Sequence, residues 1–476
     1  MHQGIGIAIS FAAVFAVLGG VALLKQRGLG DEPARKLVHI LLSNWILLAL
    51  LLFTETWAVS IPPACFVILN YISYRRGLFS AIERQENNTP GTVWYAVSLW
   101  VLCLAGWSLG TPWVAACGML SMGYGDGLAA LMGMRKNRRP FPEPFARKSL
   151  EGTLTVAFFT AVAVGGICLI YAPAIALRAA LCCGVLAAAV ELYSPGGIDN
   201  LTLPLSVAAA TYLMATQPAV YPYLDGLALT LVILLAAFFL GALTLAGVHW
   251  ATLLGTLLYA WGGGLAFGAL LLFFVSGSVV SKIGRRQKLL PSSLHQRQGP
   301  RSSVQVMANG LPPLFFVALG HFTGNRLFLL AALATFAVAT ADTFSSEIGM
   351  LSTRAPISIL TGKPVPKGIS GGVTLLGFSA GALGALLIAL PALVAFGWVG
   401  GLVVWLCGMV GSLLDSLMGA LLQAKYRLPT GGLTERPQAD GALLPLAGGI
   451  SWVNNDVINF LSILLCGILC TALTGL

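Results

Sequence analysis

The chain has 476 residues, 57% of them hydrophobic and only 9% charged, with a formal net charge of +10 and a mean hydropathy of +0.86. No soluble domain of that length has so little charge, and its long apolar stretches are the signature of transmembrane helices. A nucleic-acid partner is excluded because the basic residues build no stripe on a soluble fold. The nine cysteines lie in apolar segments without a C-x-x-C pair, so they are small buried hydrophobes rather than a disulfide framework or a metal site.

In chain order the apolar spans are 5–24, 37–53, 57–73, 92–109, 111–132, 150–171, 174–190 and 201–217, then 224–247, 250–276, 311–340, 373–397, 398–422 and 451–476. The span 311–340 is long enough to break between Gly320 and Arg326. The fold class is therefore all-α, a polytopic transmembrane protein of about 13–15 helices, at roughly 20 residues for each crossing. The first span has no basic residues before it and no small-residue cleavage site after it; it reads as a retained helix, and the lack of a transit segment favours a prokaryotic inner membrane (or a thylakoid). Lys and Arg concentrate in the connections 25–36, 75–84, 135–148, 282–301, 354–367 and 425–436, which the positive-inside rule places in the cytoplasm with the N-terminus outside. Composition shifts near 218–224, dividing the chain into helix bundles at 1–220 and 221–476. The polar stretch 276–310 contains Lys282, Arg285, Arg286 and Lys288, either a topological anchor or a place for lipid headgroups or phosphate.

An aspartate frame recurs. Asp126 and Asp342 are each followed by Gly-Met at the same offsets, then by Lys148 to Gly152 and Lys367 to Gly371, with Asp199 and Asp415 each 73 residues beyond the first aspartate. A carboxylate at membrane depth is costly unless a partner or a water-filled cavity receives it, so four of them suggest two related sites.

In the first frame, Gly125 and Gly127 flank Asp126, and their missing Cβ atoms would let the helix open so that N–H groups approach an anion. Arg135 and Lys136 follow, then Lys148, Ser149, Glu151, Gly152 and Thr153 entering the next helix, and further on Glu191, Asp199 and Asn200. Hydroxyls and free N–H groups at a helix start favour phosphate. Carboxylates with cations at a membrane surface fit Mg²⁺ and a nucleotide, since Mg²⁺ is held by one or two carboxylates plus substrate phosphates. A transporter cavity or buried ion pairs would use the same residues. No Walker P-loop or dinucleotide-binding fingerprint is present, so a phosphoryl-transfer enzyme would be of a different kind. Lys36, His39 and Ser43 share a helical face with Arg35 beside them; this basic helix entry could meet phosphate, or His39 could be structural.

Arg35-Lys36-Leu-Val-His39, Gly125-Asp126-Gly127, Lys148-Ser149-Leu-Glu151-Gly152-Thr153 and Glu191 with Asp199-Asn200 resemble the phytol kinase family. That is the polyprenol kinase group to which dolichol kinase belongs, with a distant likeness to phosphatidate cytidylyltransferase. The resemblance covers about residues 30–215 and implies CTP-dependent phosphorylation of an isoprenoid alcohol. Asp126, Lys148, Glu151 and Asp199 would then hold metal and nucleotide phosphates.

In the second frame, Asp342, Ser345, Ser346 and Gly349 share a face if the segment is helical. Glu347 is on another face, so both carboxylates meet one ligand only if the helix breaks. Lys367 leads into Ser370, Gly371 and Gly372, whose N–H groups would be bare. Gly411, Ser412, Asp415, Gly419 and Gln423 form a small and polar face, and Asn455, Asp456 and Asn459 open the last span. Small residues alone would serve close helix packing; the carboxylates among them point to function.

These residues, together with Gln305 and Asn309, resemble a second integral-membrane family, the one containing phytyl-phosphate kinase, over about 225–476. The two resemblances together imply a bifunctional enzyme. The first half would make an isoprenoid monophosphate and the second its diphosphate, with Mg²⁺ as cofactor, CTP as donor, membrane lipids around it and both sites facing the cytoplasm. Asp126, Asp199, Asp342, Asp415 and Asp456 would be metal ligands. Two other readings use the same residues: a cytidylyltransferase forming a CDP-lipid, and a lipid-phosphate transporter or flippase, whose tandem helix repeats also carry midplane carboxylates.

Overall fold

The structure is a computed structural model that describes residues 2–76, 90–133, 139–194, 197–284, 299–429, 431–439 and 441–475. Arg135, Lys136, Arg285, Arg286 and Lys288 lie outside the described residues. Among those described, 13 helices are long and apolar enough to cross a membrane, and the chain divides into two compact units, Met1–Leu235 and Ala236–Leu476. The expected division at 220/221 falls earlier, at the start of the helix that carries this boundary.

Unit 1 contains α1 (His2–Gln26), α2 (Asp31–Ser43), α3 (Trp45–Leu52), α4 (Thr56–Arg76), α5 (Gly91–Ser108), α6 (Pro112–Leu120), α7 (Gly127–Gly133), α8 (Leu150–Tyr171), α9 (Ala176–Tyr193), α10 (Asp199–Thr216) and most of α11 (Tyr221–Phe239). A π-helical turn, Ser121–Asp126, joins α6 to α7, so the helix widens here rather than opening as expected. Single π turns inside helices often occur at functional sites. Every residue from Val114 to Leu120 is buried, which makes this the central helix of the unit. Apolar side chains such as Leu51, Ile170 and Leu177 are instead exposed, as a lipid-facing surface requires.

The turn's glycines admit neighbouring helices. A Cβ at Gly123 would lie 1.9 Å from Ser43 Oγ, one at Gly125 2.9 Å from Thr160 Oγ1, and one at Gly127 2.6 Å from Ile40 Cγ1. Gly125 and Gly127 thus bring α8 and α2 against the aspartate between them, a packing role.

Unit 2 comprises α12 (Leu245–Lys282), α13 (Ser303–Thr323), α14 (Leu327–Gly349), α15 (Leu375–Leu421) and α16 (Asn455–Leu473). Leu330 to Ala341 are all buried, so α14 is its central helix, and Asp342 follows directly. The expected break near 320–326 is the left-handed C-cap Gly324. The expected division at 397/398 is Gly397, at φ 75° inside α15. Trp405 Nε1 donates to Ala382 O at 3.0 Å, and Gly408 meets Ala385, so α15 folds back as an antiparallel hairpin about that glycine. The single span expected at 250–276 is likewise doubled: Gly263 has φ 65°, and Tyr259 stacks edge-on against Phe267 at 5.7 Å. Both reversals need a positive φ that L-residues rarely adopt. Short antiparallel strands (Ile357–Ser358 with Gly372–Val373; Lys425–Arg427 between Leu433–Thr434 and Leu446–Gly448; Gln438–Ala439 with Ala442–Leu443) fold the connections flanking α15.

Candidate active sites

In unit 1 four helix ends converge. Asp126 closes the π turn, Glu191 lies near the end of α9, Asp199 begins α10, and Lys148 precedes the Ser149 cap of α8. One carboxylate oxygen each from Asp126, Glu191 and Asp199 lies within 4.8 Å of the others. Lys36 Nζ donates to Asp126 Oδ2 at 2.6 Å, with both side chains nearly buried. Lys148 Nζ is ion-paired with Glu191 Oε1 and donates to the Glu191 carbonyl at 3.0 Å. Burial alone would depress the Lys148 ammonium, but the Glu191 carboxylate outweighs it and holds the group above its ordinary value. Three carboxylates against two ammonium groups leave an excess of negative charge.

His39, one turn beyond Lys36, is 5% exposed. Its ring stands edge-on to Tyr95 at 4.9 Å, it lies in the electrostatic field of both Lys36 and Asp126, and its Nδ1 has no hydrogen-bond partner. Thr153 Oγ1 is also buried without one.

Other expected residues are engaged elsewhere. Arg35 Nε donates to Glu32 Oε2 at 3.2 Å, away from the carboxylates. Glu151 accepts from the Arg139 N–H at 2.9 Å and does not join them, because it leaves the first turn of α8 on another face. Ser149 Oγ accepts from Gly152 N at 3.2 Å and so caps α8 itself. Asn200 Nδ2 is tied to Gly91 O at 3.0 Å. Glu191, expected as a nucleotide contact, stands among the carboxylates instead.

Unit 2 repeats this plan with different residues. Thr374 Oγ1 caps α15 by accepting from Gly377 N at 3.0 Å. A Cβ on Gly377 would meet Ser345 O, three residues past Asp342; one on Gly152 would meet Ala129 O, three past Asp126. In each unit the following helix then presents a contact glycine, Gly184 against Ala157 or Gly408 against Ala385, seven residues before Glu191 or Asp415. Asp415 therefore occupies the place of Glu191, not of Asp199. The equal 73-residue spacing misleads because the connection Gly349–Thr374 is longer than Gly133–Ser149. Further along, α16 brings neutral groups to Asp415. Ser462 Oγ donates to Asp415 Oδ2 at 2.9 Å, and the Asn459 amide nitrogen, turned to suit the carboxylate, lies 3.1 Å from that oxygen.

α14 is unbroken from Leu327 to Gly349, so Asp342 and Glu347 project from different faces and do not meet one ligand together. Among the described residues, only Asp126, Glu191 and Asp199 form a group of three acidic ligands; Asp342, Asp415 and Asp456 do not. Asp456 lies in the first turn of α16, its N–H bonded to the Asn454 cap, and the side-chain amide of Asn455 is 3.0 Å from that of Asn459. Lys367 Nζ donates to Ser352 O at 2.5 Å, neutralising the carbonyl end of α14. Gln305 completes a capping box with Ser302, and Asn309 Nδ2 donates to Gln305 O at 2.9 Å. Ser346 Oγ donates to Thr343 O at 3.2 Å. The Ser370–Gly372 loop is packed rather than bare. Gly371, at φ 87°, faces Ala420, and Glu435 accepts from Ser370 N at 2.7 Å and from Gln423 Nε2 at 2.7 Å. Glu435 had no signal in the sequence beyond being an acid in a polar loop. Ser345, Ser412, Ser416 and Gly381 line a small crevice beside these groups.

This is a polytopic helical membrane protein with a carboxylate–lysine cluster in its first unit. The profile of the integral membrane protein family DUF92 matches residues 228–467, half of the chain, and the protein belongs to that family. It is also 38% identical over 183 residues to an uncharacterized membrane protein of Methanocaldococcus jannaschii, covering 38% of this chain and 74% of that one. It is 36% identical over 208 residues to a protein named phytol kinase from Synechocystis, covering 42% and 89%. With the chloroplastic protein VTE6 of Arabidopsis thaliana it shares 28% identity over 232 residues, covering 46% and 62%. No solved structure matches.

Proposed function

We propose that the protein phosphorylates an isoprenoid alcohol such as phytol twice, with unit 1 making the monophosphate and unit 2 the diphosphate from CTP and Mg²⁺ at the cytoplasmic face. The observation that carries this reading is the convergence of Asp126, Glu191 and Asp199 with Lys36 and Lys148. The Synechocystis relative's printed name, phytol kinase, supports the substrate class.

The donor set suits the metal: the three side chains offer only carboxylate oxygens, which hard Mg²⁺ prefers, and the triad carries excess negative charge. Mg²⁺ held there would supply positive charge that offsets the charge developing on the phosphates. Asp126, Glu191 and Asp199 would hold it, while Lys36 and Lys148 position and neutralise the transferred phosphoryl group. The buried Nδ1 of His39 can take a hydrogen bond from the acceptor hydroxyl. In unit 2 the acceptor is already an anionic phosphate and needs no base. There Asp342 and Asp415 are the carboxylates that would carry the metal, with Ser462 and Asn459 orienting Asp415.

Purified Asp126→Asn in detergent with CTP, Mg²⁺ and phytol is expected to form no monophosphate. Asp342→Asn is expected to accumulate monophosphate without diphosphate. Diphosphate formed by Asp342→Asn would refute this division of labour.

A further inference from the structure

In the first unit each lysine of the cluster lies against a different carboxylate of the group that could hold a cation: Lys36 against Asp126 and Lys148 against Glu191. Asp199 has neither, and its Oδ1 accepts only the neighbouring Asn200 N–H among the bonds described. An acidic cluster alone is no site, but a second feature points to a ligand. His39 is buried beside Lys36 and Asp126 with Nδ1 unsatisfied, and buried polar atoms in native proteins ordinarily have partners.

We propose that Lys36 and Lys148 are exchangeable counter-ions, held on Asp126 and Glu191 until a divalent cation and a polyphosphate enter together. The cation then takes the carboxylates, and both ammonium groups turn onto the phosphate oxygens. The identity of the anion rests on the kinase reading above; the exchange does not. Two consequences follow from charge alone. A divalent cation by itself binds weakly, because it must displace two tethered cations. A polyphosphate raises its affinity by giving those ammonium groups a new anion, and the coupling is reciprocal. The three carboxylates and two lysines reside on α2, the π turn, α9, α10 and the α8 entry.

The test is Mn²⁺ binding to the purified full-length protein in detergent, followed by electron paramagnetic resonance of free Mn²⁺, with no alcohol present. Lys148→Gln is expected to bind Mn²⁺ about fivefold or more tighter than the parent, within the usual range of coupling between sites, and Asp199→Asn to bind it more weakly. Lys148→Gln binding Mn²⁺ no more tightly overturns the proposal. Should that variant not fold, the parent decides alone: saturating inorganic tripolyphosphate, corrected with a protein-free blank, must raise Mn²⁺ affinity, and an unchanged affinity overturns it. A protein that passes these titrations yet phosphorylates no alcohol would sink the kinase reading and leave the exchange standing.

Discussion

Replacing Asp126 with Asn tests the first site through stability and activity together. The substitution keeps the shape of the side chain but removes the charge facing Lys36 Nζ at 2.6 Å, where the two side chains are 7% and 11% exposed. At that burial, solvent screens the pair little, and breaking a buried pair by removing one partner costs about 3–5 kcal/mol. Lys36→Met combined with Asp126→Asn removes both charges, so the uncompensated ammonium disappears and most of that loss is expected to return. Turnover is not expected to return, because Asp126 is placed among the metal-holding carboxylates; the first step should stay down by on the order of 10²–10³-fold. Unfolding in detergent with increasing SDS reads the stability, and monophosphate formation reads the activity. The reasoning fails if Asp126→Asn is as stable as the parent, or if the double variant regains both stability and turnover.

Further substitutions probe other contacts. Gly123→Ala drives a Cβ to 1.9 Å from Ser43 Oγ, and overpacking of this kind costs about 1–3 kcal/mol, measurable in the same SDS titration; an unchanged midpoint would refute the close approach of α2. Glu435→Ala strips the acceptor from Ser370 N and Gln423 Nε2, at about 1–3 kcal/mol for donors left unsatisfied. It is expected to impair diphosphate formation while sparing monophosphate formation, and equal loss of both steps would count against it. The Lys148–Glu191 pair sets a pH dependence. Because the folded-state value of Lys148 is raised above 10.5, its contribution is fully present below that ordinary value and is lost as pH rises through the higher folded one. Parent stability should therefore fall above about pH 10.5 more steeply than that of Lys148→Gln; parallel curves would contradict the pairing.

Much of this architecture was legible because apolar length and glycine punctuation act locally. The breaks at Gly324 and Gly397 coincide with expected boundaries. The reversal at Gly263 was missed although three consecutive glycines, 262–264, mark it, because a continuous apolar run hides a turn that positive φ makes without polar residues. Lys36, Asp126, Lys148 and Asp199 come together as their types suggested. Asp415 was paired with Asp199 because spacing counts residues, whereas helix contacts count turns, and the longer Gly349–Thr374 connection shifts the count. Gln305, Asn200 and Glu151 are polar residues near helix starts whose side chains serve backbone or local partners, a role that sequence cannot separate from ligand binding.

The most direct measurement is a time course of products from the purified parent protein given phytol, Mg²⁺ and CTP labelled in parallel at the γ-phosphate and the cytidine. The account predicts phytyl monophosphate first and then diphosphate, both carrying γ-label and neither carrying cytidine. A cytidine-labelled lipid, or no labelled lipid at all, would contradict it.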